Sequence, residues 1–141
     1  MCLKTIGSAQ ISGLRIGGNP FSGFSHQSSE CNLERLDYHT AERIHQVLYT
    51  AEDYSTNTLL GRTADHIFKV LGDYRQEDEQ IQWFAQICIE RSDPNAWRKW
   101  LTDAIELGCT GAYIHSEVID NRAYYRTLGP LSISTGAHAR R

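Results

Sequence analysis

The chain has 141 residues, of which 40% are hydrophobic and 22% charged, ordinary globular proportions that exclude disorder and suffice for one domain with a core. Its net charge of -3 is spread over intermixed acidic and basic residues, so no basic stripe is offered to nucleic acid. No apolar run approaches the roughly 18 residues of a membrane span.

The opening Met1-Cys2-Leu3-Lys4-Thr5-Ile6-Gly7 lacks the apolar core of a signal peptide. The four cysteines, Cys2, Cys31, Cys88 and Cys109, are far apart and form no CxxC pair. They read as reduced thiols of a cytoplasmic protein, not as a disulfide framework or a zinc site.

Leu3 to Ile11 alternates loosely and breaks at Gly7-Ser8, which predicts a small hairpin. Leu14 to Gly18 reads as the first main strand. Asn19 to about Asn32 is a loop rich in Gly, Ser and Asn, long enough to suggest function. Ala41, Ile44, Val47, Leu48 and Ala51 recur at helical spacing and predict a first helix over about Tyr38 to Asp53. Asn57 to Gly61 is a short second strand. Ile67, Val70, Leu71 and Tyr74 form a second helical stripe, with Thr63 or Asp65 placed to cap it. Ile81 to Ile87 is a third strand, rich in β-formers and too short for a helix. Asp93-Pro94 opens a third helix whose buried face is Trp97, Trp100, Leu101, Ala104 and Leu107, stopped by Gly108. Gly111 to His115 is a fourth strand. A weaker fourth helix starts near Asp120 and takes in Tyr124, Tyr125 and Leu128 before Gly129-Pro130. Residues 131–141 have no apolar period and are expected to be poorly ordered. This alternation predicts an α/β fold with a four-stranded parallel sheet and right-handed crossovers. Period-2 alternation puts Trp83, Ala85 and Ile87 under the helices and Gln82, Phe84 and Gln86 on the opposite face.

The hairpin, followed by Ser12-Gly13-Leu14-Arg15-Ile16-Gly17-Gly18, resembles the start of the aldo-keto reductases. Ile105-Glu106-Leu107-Gly108 followed by Gly111-Ala112-Tyr113-Ile114-His115 resembles their third helix and fourth strand. The resemblance covers about residues 3 to 128. It implies a TIM-type (β/α)8 barrel whose bottom is plugged by the hairpin. A complete barrel takes about 250 residues and eight strands, so this chain is expected to be the N-terminal half: four βα units over 1–128, then a tail over 129–141. Such a half leaves bare edges at strands one and four, open to self-association.

The family reduces carbonyls with NADPH through an Asp, Tyr, Lys and His set. His115 matches the histidine. Gln86 stands where the lysine would be and Leu60 where the aspartate would be, and Arg62 to His66 holds no matching tyrosine. Without that tyrosine there is no general acid for the carbonyl oxygen. The cofactor's phosphate site lies late in such barrels, so NADPH is implied by the family while its site is expected to be missing here.

Function in these barrels sits at the C-terminal ends of the strands. His115 is the catalytic candidate, a group able to polarise or protonate a carbonyl or hydroxyl near neutral pH; it reads equally as a hydrogen-bonded rim histidine. Asn19, Arg62, Gln86 and Glu117 are the substrate-binding candidates. Asn19 offers an amide or is simply a turn residue before Pro20, and Arg62 offers a clamp for a carboxylate or phosphate or is a plain surface charge. Ser22 and His26 are lid candidates in the first loop. His26, Asp65, His115 and Glu117 would meet at a metal only if that loop folded over the mouth, and no spacing requires it. Gly17-Gly18 lacks the GxGxxG pattern of a nucleotide loop. The expected ligand is a small polar metabolite, bound by a half-barrel inactive on its own. The alternatives are a full-length oxidoreductase, lyase or isomerase using His115, or an interaction module.

Overall fold

A small hairpin stands ahead of the main sheet: β1 (Leu3–Ile6) and β2 (Ala9–Ser12) pair antiparallel across Gly7, whose φ of +59° suits glycine. The computed structural model of the chain describes residues 2–76, 80–89, 93 and 95–114. The elements that follow are β3 (Ile16–Gly17), a 3-10 turn (Pro20–Ser22), α1 (Ser29–Tyr38), α2 (Ala41–Asp53), β4 (Thr58–Arg62), α3 (Asp65–Arg75), β5 (Gln82–Ile87), α4 (Ala96–Glu106) and β6 (Gly111–Ile114). Strands β3 to β6 form one parallel sheet in sequential order, so each crossover adds a strand next to the last. The fold is therefore α/β with a four-stranded parallel sheet and a separate hairpin.

Alternation decides which face is buried. Leu59 of β4 and Trp83, Ala85 and Ile87 of β5 are buried on one face. Against them pack Ile44 and Leu48 of α2, Ile67, Val70, Leu71 and Tyr74 of α3, and Ala104 of α4. At roughly 1.5–3 kcal/mol per fully buried side chain, this face supplies the main driving force for folding. Trp83 also donates from Nε1 to Gly61 O at 3.1 Å inside the core. On the other face Leu60, Phe84 and Gln86 are half-buried and Tyr113 is exposed.

The hairpin is tied to the N-terminal ends of β4 and β5 by polar side chains. Asn57 Oδ1 accepts from Ser12 N at 2.8 Å, and Asn57 Nδ2 donates to Gln10 O at 2.9 Å. Gln82 Nε2 donates to the same carbonyl at 2.7 Å.

Four expectations need correction. The first strand is two residues long, not five: Leu14 is exposed, and Ser12 Oγ bonds Leu14 O, turning the chain before β3 begins. The loop and first helix are instead a shorter loop and two helices. Ser28 caps α1 by accepting from Cys31 N, and Thr40 caps α2 by accepting from Arg43 N. Helix α1 buries no residue, with Leu33 and Leu36 exposed, so it carries no apolar stripe for periodicity to detect. Helix α3 has Ala64 at its N-cap without a side-chain hydrogen bond; Thr63, one residue earlier, accepts from Cys88 N and donates to Gln86 O instead of capping. Helix α4 starts at Ala96; Asp93 holds the preceding turn, its carboxylate accepting from Asn95 N at 2.9 Å. Its apolar face is partly buried apart from Ala104. The stop at Gly108 is present, with φ at +76°. Pro94, His115, Glu117, the helix expected near Asp120 and the tail lie outside the described residues. Among the described residues no helix is long and apolar enough to cross a membrane.

Candidate functional site

The carboxyl ends of β3, β4 and β5 open into a cleft of about 410 Å³. Arg62 is the last residue of β4 and lies in register with Gln86 of β5, while Asn19 follows β3 by two residues. All three line the cleft. Period 2 puts Arg62 and Gln86 on the face away from the helices, so two polar side chains leave the sheet side by side.

Thr63 fixes the spacing of these strand ends. Its amide and its hydroxyl both donate to Gln86 O, at 3.0 and 3.2 Å, and its Oγ1 accepts from Cys88 N at 3.2 Å. A hydroxyl that both donates and accepts is satisfied, which accounts for a threonine only 3% exposed.

The loop after β3 supplies a wall. Phe21 is buried, and its carbonyl meets His66 Nε2 at 2.9 Å. Ser25 N donates to Asn32 Oδ1 at 2.7 Å, and Phe24 N donates to Asn19 O at 2.9 Å. So held, the Phe24 ring lies under the Arg62 guanidinium, 4.5 Å from its centroid. The His26 ring meets Phe24 edge-on at 4.3 Å, and His26 Nε2 lies 3.3 Å from Asn19 Nδ2. Ser22 Oγ stays within its own turn, bonded to Gly18 O and Asn19 O.

Trp100 of α4 also lines the cleft and stacks on Phe68 at 5.9 Å. Asp65, the first residue of α3, completes the rim and favours the positive end of its helix. Among the described residues lining the cleft, Arg62 is the one cation and Asp65 the one carboxylate. Tyr113, in register with Gln86, has its phenol pushed up from the ordinary range, chiefly by burial and further by Cys88. The arrangement presents guanidinium and amide donors beside aromatic walls, which suits a small ligand rich in acceptors.

Of the residues expected from sequence, Asn19, Arg62 and Gln86 come together, and Asp65 joins them. His115 and Glu117 are outside the described residues. Among the described residues no group of three or more His, Cys, Asp or Glu is placed to hold a metal ion. Sequence reasoning did not assign Phe24, Cys88 or Trp100 to the site. Phe24 carried no signal, because loop hydrogen bonds place it; Trp100 was read only as part of a helix face.

Compared with known proteins, the chain matches no family model, no curated protein and no solved structure.

Proposed function

We propose that this chain binds a small polar metabolite at the carboxyl ends of its strands, as the N-terminal half of an aldo-keto-reductase-like (β/α)8 barrel that is inactive alone. Three features support the barrel reading. The strands are in sequential order, the helices pack on one face of the sheet, and the hairpin is bonded to the strands' N-terminal ends. The observation that carries the binding reading is the convergence of Asn19, Arg62 and Gln86 on one cleft.

The test is proton–nitrogen correlation NMR of the full chain, titrated with small carboxylates, sugar phosphates and polyols. The expected result is saturable shifts of the Asn19 and Gln86 side-chain amides and the Arg62 Nε–H, lost in Arg62→Ala. Shifts confined to other residues, or none, would overturn the reading.

A second reading, pairing with another copy, is favoured by the half-buried Leu60 and Phe84 and the exposed Tyr113 on the sheet face away from the helices. A monomer by light scattering at high concentration would remove it.

A further inference from the structure

We infer that the cleft takes a small zwitterion, a free amino acid or a close analogue, with its carboxylate on Arg62 and its ammonium group at Asp65; this rests on the binding reading above and narrows it to a ligand class. The two charges stand three positions apart in the chain, at the end of β4 and the start of α3, and both line the cleft. No ion pair joins them, and among the described residues neither forms a salt bridge with any other group. Arg62 rests on the Phe24 ring instead. Lys99, which feels the attraction of Asp65, has its ammonium committed to Asp103 Oδ2 at 2.5 Å.

Opposite charges on one small cleft that do not neutralise each other select a ligand carrying both complements. A simple anion would satisfy Arg62 and be repelled by Asp65. A simple cation would meet the reverse, and a neutral polyol would use neither charge. A zwitterion is the smallest molecule that answers both. The remaining lining fits the rest of an amino acid: Gln86 and Asn19 offer amides to the second carboxylate oxygen, while Phe24 and Trp100 offer apolar walls to a side chain.

The test is isothermal titration of the full chain with a matched set: L-leucine, isocaproate, which lacks the ammonium, isoamylamine, which lacks the carboxylate, and glycerol. Leucine is expected to bind at least about tenfold tighter than isocaproate or isoamylamine. Asp65→Asn should erase the advantage over isocaproate while leaving isocaproate bound, a change that mere loss of structure would not produce. Arg62→Gln should weaken leucine and isocaproate alike; should that variant lose its far-ultraviolet dichroism, the Asp65→Asn comparison still decides. If isocaproate or glycerol binds as well as leucine, or if leucine is indifferent to Asp65→Asn, the zwitterion inference falls and the cleft remains a binding site. If none of the set binds and the NMR titration above is also flat, both fall together.

Discussion

Gly18→Ala tests how β3 is joined to the sheet. Gly18 N donates to Leu60 O at 2.7 Å, just past the two-residue pairing of Ile16 with Leu59 and Gly17 with Leu60. A Cβ at Gly18 would lie 2.7 Å from Gly61 Cα and 3.0 Å from Leu60 O, both backbone atoms that no rotamer change can move aside. The strand must retreat. Displacing backbone in a packed region costs about 1–3 kcal/mol, and weakening one backbone hydrogen bond adds about 1 kcal/mol. The stiffer unfolded chain returns about 0.4–1 kcal/mol. The net is a loss of about 2 kcal/mol, or about 6–10 °C in melting temperature for a domain of this size. Gly17→Ala is the control, since a Cβ there meets nothing within 4 Å; it is expected to be neutral or slightly stabilising. Parallel urea and thermal melts followed by dichroism measure both. Equal stability of the two variants would refute the argument that close approach at Gly18 fixes the sheet edge.

Two further perturbations probe the core and its titration. Trp83→Phe removes the indole N–H that Gly61 O accepts in the core and leaves a void beside Phe68; the expected loss is about 1–3 kcal/mol in urea unfolding, and a loss under about 0.5 kcal/mol would contradict the packing described. Burial raises the Cys109 thiol above its ordinary 9.0, against a smaller opposing pull from Arg75, and raises the Tyr113 phenol above its ordinary 10.0. A raised folded value means the folded state holds its proton longer, so this stabilisation is complete below the ordinary values and is lost as pH rises through the raised ones. Urea midpoints should therefore fall at alkaline pH, less steeply in Cys109→Ser, and a flat profile would show that neither group is shielded from solvent enough to hold its proton.

The parts of the fold that periodicity encodes were readable in the chain, and those set by tertiary hydrogen bonds were not. Alternation in β5 sorted Trp83, Ala85 and Ile87 from Gln82, Phe84 and Gln86, and burial follows that sorting. The stripes of α2 and α3 were equally plain, because Ile44, Leu48, Ile67, Val70 and Leu71 all face one core. Helix α1 escaped because it packs no residue into that core, leaving Ser28 as its only local signal. At the site, Arg62 and Gln86 stood out as polar residues ending apolar strands. Phe24 did not, because its position depends on Asn32 and Arg35 bonding the loop backbone at Ser25 N and Phe24 O, contacts between residues far apart in any local pattern. Thr63 was misassigned because it stands one residue before the N-cap, Ala64, and its hydroxyl donates to Gln86 O and accepts from Cys88 N, a donor on the neighbouring strand end, instead of accepting from the helix's own amides.

The cleft is built on main-chain contacts more than on side-chain packing. Two of them set its width: Gly18 N on Leu60 O between β3 and β4, and Thr63 on Gln86 O between β4 and β5. Asn19 hangs from the first contact, and Arg62 and Gln86 flank the second. Stability and binding are then coupled at the first contact, since moving β3 away from β4 carries Asn19 away from Arg62. A ligand that binds only the folded state stabilises it by RT ln(1 + [L]/Kd). Gly18→Ala should therefore lose part of whatever ligand-induced shift in melting temperature the parent chain shows, beyond its lower starting point. Asp65 belongs to the other class. It sits exposed at the start of α3, outside both contacts, so on the proposed reading its change is expected to alter ligand preference while the strand ends stay held. A loss of ligand-induced stabilisation for every ligand in Gly18→Ala, against a loss confined to ligands that carry an ammonium group in Asp65→Asn, is the pattern this construction requires.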